Sequence, residues 1–158
     1  MAIIGIVAVS RNFAIGKGGK LPWHYPADLK FFKETTTGNT VVMGANTWRA
    51  IGRELPDRLN VILSASGEVE APPEIMKLNS VDEVVQLSRL LNGHVYIIGG
   101  AKTYDAFADV IDKWIVTEVP VEIDGADAFL SEHFLVGFAA GETRELDGGL
   151  VVKTMHRT

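Results

Sequence analysis

One carboxylate stands out by its company. Asp28 lies in the run Leu21-Pro22-Trp23-His24-Tyr25-Pro26-Ala27-Asp28-Leu29, directly after the glycine-rich stretch Gly16-Lys17-Gly18-Gly19-Lys20. Pro26 suits the first turn of a helix, where its missing N–H costs nothing. On such a helix Asp28, Leu29 and Phe32 share one side, because residues three and four apart are neighbours. An acid in a first turn is most often there for the helix dipole alone. An acid on an apolar face is costly unless something pairs with it. A flat heterocycle with a ring N–H beside an exocyclic amine would offer two adjacent donors to one carboxylate. Burial would raise the pKa of Asp28 when empty, and those donors would favour its ionised form.

A second feature concerns anions. Two segments read strand, glycine, helix: Val95–Ile98 with Gly99-Gly100 and the run from Ala101, and Thr40–Met43 with Gly44 and a helix near Thr47. Helix N-termini hold anions through free N–H groups, and glycines let the backbone approach a pyrophosphate. Neither segment matches G-x-G-x-x-G, and Gly16–Lys20 is not a P-loop, since no Ser or Thr follows Lys20. A Gly pair by itself is usually only a turn.

Other chemistries are absent. The chain has no Cys, which excludes disulfides, thiolate metal sites and cysteine nucleophiles. Its histidines (His24, His94, His133, His156) form no H-E-x-x-H pair, and no Ser sits in G-x-S-x-G, so no metal site is expected. His24 reads as a solvated loop residue. The net charge of −5 and the lack of a basic cluster argue against nucleic acid as a partner.

These residues need a frame to position them. The 158 residues, 47% hydrophobic and 22% charged, match one globular domain with a single core, taken as 1–158. Apolar, β-branched runs recur at Ile3–Val9, Thr40–Met43, Asn60–Leu63, Val95–Ile98 and Trp114–Val119. Such runs suit strands covered on both faces. Helical patterns lie between them at Ala27–Thr35, Thr47–Ile51, Val81–Leu91 and Thr103–Val110, with Ser80 and Glu83 forming a capping box. This alternation predicts an α/β fold with a mostly parallel sheet. Phe134–Arg144 and Leu150–His156 flank Asp147-Gly148-Gly149, a hairpin signal, so an antiparallel strand is expected at the end of that sheet. Gly67–Pro73 reads as a loop. The apolar run Ala2–Val9 lacks a preceding basic residue and is unlike a signal peptide, and no run approaches a membrane span, so the cytoplasm is expected and no membrane partner.

With several ordered motifs at matching spacing, the chain resembles the dihydrofolate reductases. The likeness runs through Leu21-Pro22-Trp23…Pro26-Ala27-Asp28-Leu29, Val42-Met43-Gly44…Thr47-Trp48…Ile51-Gly52…Leu55-Pro56…Arg58…Asn60-Val61-Ile62-Leu63-Ser64, Ile97-Ile98-Gly99-Gly100…Tyr104 and Thr117, and thins after Phe129. It implies a central sheet of about eight strands with helices on both faces, and an adenosine-binding subregion over roughly 39–92. It implies an enzyme reducing 7,8-dihydrofolate with NADPH, feeding one-carbon and thymidylate metabolism, a target of antifolates, and a monomer. By the same resemblance, Asp28 binds the pteridine and assists protonation of N5 through water, with Thr117 hydrogen-bonded to it. Leu21 and Trp23 cap the reacting rings. Ile6, Ala8, Leu29, Phe32, Ile51, Leu55, Ile98 and Tyr104 line the substrate slot, and Arg58 takes the glutamate α-carboxylate, for which its planar fork is suited. The cofactor is implied to lie along Ala8, Ile15, Gly16, Gly44, Ala45, Asn46, Thr47, Leu63, Ser64, Ala65, Ile98, Gly99, Gly100, Ala101, Lys102, Thr103 and Tyr104.

Two positions depart from the family pattern. Members often carry a basic residue straight after the Met-Gly pair, near the 2′-phosphate of NADPH, and here Ala45 stands there. Gly125-Ala126-Asp127-Ala128-Phe129 replaces a usual Gly-Asp-Thr, leaving Asp127 as the acid expected to meet the glycine-rich loop. The rival readings are a reductase of the same fold acting on a pyrimidine riboside phosphate in riboflavin synthesis, and a non-catalytic folate or nucleotide carrier. The Trp23…Asp28 pattern argues against the first. The presence of both Asp28 and Gly99-Gly100 argues against the second.

Overall fold

The computed structural model describes residues 2–158. The apolar runs form the expected strands: β1 Ile3–Val9, β3 Thr40–Gly44, β4 Leu59–Leu63, β6 Val95–Ile97 and β7 Lys113–Glu118. Short strands β2 Ala14–Gly16, β5 Met76–Leu78 and β8 Ala128–Phe129, and the C-terminal pair β9 Phe138–Leu146 and β10 Leu150–Arg157, complete the set. The main sheet has eight strands in the order β5-β4-β3-β6-β1-β7-β10-β9, and β2 pairs with β8 separately. From β5 to β7 every neighbouring pair is parallel, while β10 runs antiparallel to both β7 and β9. The antiparallel end of the sheet is thus as the Asp-Gly signal predicts.

Strand alternation sends side chains to two faces. On one, Ile4, Ile6, Val41, Met43, Ile62 and Tyr96 pack with Trp48, Phe31 and Phe32. These last three belong to helices α1 Pro26–Thr36 and α2 Ala45–Ile51. On the other face, Ile3, Val7, Val42, Val61, Val95 and Ile97 pack with Val84 and Phe107, from α3 Val81–Leu90 and α4 Ala101–Phe107. Helices therefore cover both faces. Gly5 has a packing reason, since a Cβ there would overlap the Trp114 ring.

The helix ends follow local chemistry. Ser80 caps α3 by accepting from the Glu83 N–H at 3.2 Å. Gly52, at φ 76°, closes α2 in the left-handed conformation, its N–H reaching the Trp48 carbonyl. Two expected boundaries move. α4 begins at Ala101, straight after Gly100, and ends at Phe107, where the N–H groups of Val110 and Ile111 both turn back to the Phe107 carbonyl. The run from Phe134 starts as turns rather than strand: the N–H groups of Phe134, Val136 and Phe138 each reach a carbonyl three residues back, and Gly137 sits at φ 89°.

The carboxyl ends of β1, β3, β6 and β7 share one edge of the sheet. β1 leads away toward β3 on one side, and β6 crosses over to β7 on the other. In open α/β sheets, the crevice at such a switch point is where ligands bind.

Candidate active site

Asp28 sits in the first turn of α1 and is only 8% exposed. Pro26 at the start of the helix and an extended Tyr25 as N-cap set the angle at which the chain enters. Burial raises the Asp28 carboxyl above its ordinary range, and the Trp23 indole N–H offsets part of that rise. The indole N–H nonetheless lies outside hydrogen-bond geometry. It is the one buried side-chain N or O among the described residues that has no partner. Leu21, Trp23, His24, Tyr25, Asp28 and Leu29 line a cavity of about 220 Å³. Leu21 and Leu29 are both 49% exposed, apolar groups left open to the cleft mouth. His24, read from sequence as a solvated loop residue, is exposed and lines this cavity too.

Behind α1 the sheet supplies the wall. Ile6, Phe32, Ile51, Leu55 and Ile98 all belong to the apolar cluster on the α1 face. Ala8 and Thr117 are register partners across β1 and β7. Thr117 is buried, and no hydrogen bond joins it directly to Asp28, although the resemblance implies one. Asp28 faces the cavity and the indole instead. Tyr104 is buried on α4, and its hydroxyl donates to the Ile6 carbonyl at 2.7 Å. Burial, and then the charge of Asp28, hold its phenol well above the ordinary range, so it stays a neutral donor.

Arg58 lies at the far end of α1. Its Nε donates to the Pro56 carbonyl at 2.9 Å and its Nη1 to the Thr36 hydroxyl at 3.1 Å. Burial lowers its pKa, the Asp57 carboxylate opposes that, and an arginine remains charged regardless.

The two glycine turns meet. The Gly44 N–H donates to the Gly99 carbonyl at 2.9 Å, bringing the ends of β3 and β6 together. A Cβ on Gly44 would fall 2.6 Å from the Thr103 hydroxyl, and Cβ atoms on Gly99 or Gly100 would each reach the Thr47 hydroxyl at 3.5 Å. Gly99 also takes φ 125°, which side chains avoid, and the Gly99-Gly100 peptide is cis. The result is a cradle of bare backbone rimmed by two threonine hydroxyls. Ala101 and Lys102 open α4 beside it, Lys102 being exposed. Leu63 is the register partner of Gly44, so Ser64 and Ala65 emerge on the same edge. The Ser64 hydroxyl lies 3.4 Å from that of Ser66. Ala45 begins α2, and the Asn46 side chain accepts from Arg49 at 3.0 Å.

Ile15 and Gly16 belong to β2. Beyond them Lys17 and Lys20 bridge across a turn with Gly18 and Gly19 at φ 60° and 77°. Asp127 meets this loop as expected: its carboxylate accepts from the Gly18 N–H at 2.9 Å, while Lys17 Nζ donates to the Asp124 carbonyl at 2.8 Å. Two contacts had no signal in the sequence. One is Thr36 on Arg58. The other is Tyr25 against the hairpin turn, where a Cβ on Gly148 would fall 2.9 Å from the Tyr25 ring. Both depend on which distant segments the fold brings together.

The family model described as dihydrofolate reductase matches residues 2–145. A dihydrofolate reductase of Haemophilus influenzae is 36% identical over 124 residues, covering 78% of this chain and 76% of its own length. One from Staphylococcus aureus is 35% identical over 131 residues, covering 82% of this chain and 78% of its own. Among solved structures, the dihydrofolate reductase from Enterococcus faecalis complexed with NADP(H) and RAB-propyl superposes with a TM-score of 0.90. It is 30% identical, covering 99% of this chain and 96% of that one. On sequence and fold together, the chain belongs to the dihydrofolate reductase family.

Proposed function

We propose that the cleft beside Asp28 is where this chain, an NADPH-dependent dihydrofolate reductase, converts 7,8-dihydrofolate to 5,6,7,8-tetrahydrofolate. The observation that carries the assignment to this cleft is a largely buried carboxylate lining the cavity, next to an unpartnered indole N–H, at the carboxyl edge of the sheet. A pteridine supplies what is missing: its ring N–H and 2-amino group are adjacent donors for one carboxylate. Once paired, the ionised form of Asp28 is favoured, against the effect of burial. Asp28 then holds the ring and assists protonation of N5 through water.

Ile6, Ala8, Leu29, Phe32, Ile51, Leu55 and Ile98 form the slot, and Arg58 takes the α-carboxylate of the substrate's glutamate. Leu21 and Trp23 cap the ring. Excluding water there strengthens every polar contact inside. Thr117 and Tyr104 complete the polar wall behind the pteridine.

The glycine cradle fits the dinucleotide, because Gly99 and Gly100 leave bare backbone beside the Thr47 hydroxyl, and Gly44 lets the Thr103 hydroxyl pack directly on the chain. When bound, NADPH supplies the hydride. Gly99 and Gly100 would take its pyrophosphate through backbone N–H groups, with the Thr47 and Thr103 hydroxyls and Lys102, and Gly44 would keep the backbone beside them bare. Ala45, Asn46, Leu63, Ser64 and Ala65 would hold its adenosine half within the subregion 39–92, and Ala8, Ile15, Gly16, Ile98 and Tyr104 its nicotinamide end. The work of this chain is to stack the two rings at reacting distance. All of these groups lie on one chain, consistent with a monomer, and among the described residues no helix is long and apolar enough to cross a membrane. A cytoplasmic location is part of the same reading. The riboside phosphate alternative is not favoured, since the relatives found are dihydrofolate reductases.

The test is loss of NADPH absorbance on adding dihydrofolate, repeated with NADH. Dihydrofolate-dependent oxidation is expected, with the preference for NADPH moderated by Ala45. No oxidation of either cofactor would defeat the reading.

A further inference from the structure

α1 carries Asp28 in its first turn and Thr36 in its last. Thr36 is 0% exposed. Its hydroxyl donates to the Phe32 carbonyl at 2.8 Å and accepts from Arg58 Nη1 at 3.1 Å. Arg58 Nε is taken by the Pro56 carbonyl, and the guanidinium carbon stands 6.0 Å from the centre of the Phe32 ring. The backbone beneath is tied as well, since the Gly38 N–H donates to the Asp57 carbonyl at 2.8 Å. An arginine side chain has many rotamers, and ordering it on binding costs free energy. Here the Nε–H and one Nη1 hydrogen are already engaged, and Nη2 with the second Nη1 hydrogen forms the edge left to take a carboxylate.

We infer that Thr36 is a positioning residue for substrate selection: it holds Arg58 so that the free edge of the guanidinium meets the carboxylate of the substrate's tail. The inference rests on the role given to Arg58 above. With Asp28 and Thr36 on one helix, α1 becomes a ruler between the ring anchor and the tail anchor. Eight helical positions at about 1.5 Å each set that span at roughly 12 Å. A substrate gains both anchors only if its ring and carboxylate are separated to match. A bare ring gains the Asp28 end alone.

The readout is the ratio of kcat/KM for dihydrofolate to that for 6-methyl-7,8-dihydropterin, which has the ring and no tail. Thr36→Val keeps the shape and removes the hydroxyl. It is expected to lower the ratio about tenfold through the KM for dihydrofolate, the size of one hydrogen bond to a charged group. Thr36→Ser restores the hydroxyl and should restore the ratio, which a packing role for the Thr methyl would not do. If Thr36→Val does not fold, Thr36→Ala carries the same comparison. Arg58→Met should collapse the ratio, and adding Thr36→Val to it should change nothing further. A wild-type ratio in both hydroxyl-free variants, with Arg58→Met still collapsing it, overturns this inference and leaves Arg58 in place. A wild-type ratio in Arg58→Met overturns the role of Arg58 itself, and the inference with it.

Discussion

Asp28→Asn should make the protein more stable and nearly inactive, and the two effects share one cause. Asp28 is 8% exposed, and burial raises its pKa, with the Trp23 indole opposing part of that rise. A folded-state pKa above the unfolded one means the folded state binds the proton more tightly. The stability this group contributes is present below its ordinary pKa of 3.8 and is lost as pH rises through the raised value. At neutral pH the ionised Asp28 therefore opposes folding. Leaving a polar group of this kind buried and unpaired costs about 1–3 kcal/mol, and Asn, still polar but neutral, removes only part of that. A gain of about 1 kcal/mol raises Tm by about 2–4 °C for a domain of this size.

The assay is thermal unfolding of both proteins from pH 4 to 7.5, with steady-state turnover alongside. The Tm difference should be near zero at the acid end and grow toward neutrality. Turnover of dihydrofolate by Asp28→Asn should fall by about 10²–10⁴, the range for a positioned acid–base group. A ligand with adjacent ring donors should raise Tm more in the parent than in the variant, because only the parent offers a carboxylate to pair with. A variant less stable than the parent at pH 7, by an amount independent of pH, would refute the claim that burial disfavours the ionised carboxylate.

The remaining predictions concern the cofactor cradle and the loop over the cleft. Gly44→Ala would drive a Cβ to within 2.6 Å of the Thr103 hydroxyl, so NADPH affinity measured by fluorescence should drop about tenfold or more, with the substrate affinity of the free enzyme little changed. Asp127→Ala removes the acceptor for the exposed Gly18 N–H, and should slow hydride transfer several-fold in stopped-flow while shifting stability by less than about 0.5 kcal/mol. Equal hydride rates in that variant would show that this contact does not position the glycine-rich loop for the reaction.

Much of the frame is legible because its signals are local. β1, β3, β4, β6 and β7 read as β-branched runs, Ser80 and Glu83 mark the start of α3, and Asp147-Gly148 marks the final hairpin. What escapes is decided by tertiary contact. β5 is a three-residue edge strand, too short for a period, and is defined only by its register with β4. β2 and β8 exist because the loops holding them face one another. Phe134 and Leu135 look like strand residues but pack as turn residues against the core beside Trp114, ring to ring at 5.0 Å for Phe134. In the cleft, the identity of Asp28 and the two glycine turns could be read from sequence. That Thr36 clasps Arg58, and that His24 shares a cavity with Asp28, could not, because nothing in residue type or spacing records which side chains meet.

Several features that folding alone does not explain meet at one edge of the sheet. Trp23 keeps a buried N–H without a partner, Asp28 a buried charge, and Leu21 and Leu29 an open apolar surface. Phe13 at φ 64° and Gly99 at φ 125° hold uncommon backbone close by. Elsewhere buried polar side chains find partners: Asn60 bonds Leu55 through both amide atoms, and the Ser88 hydroxyl reaches Val85. Unmet demands persist only where the rest of the structure enforces them, and they cluster at functional sites. Each one here is complementary to something the substrate carries: donors for the carboxylate, a flat apolar face for Leu21 and Leu29, and polar atoms or ordered water for the indole. Ligand binding should therefore add stability at this edge, and the gain should be smaller when Asp28, rather than a core residue, is replaced.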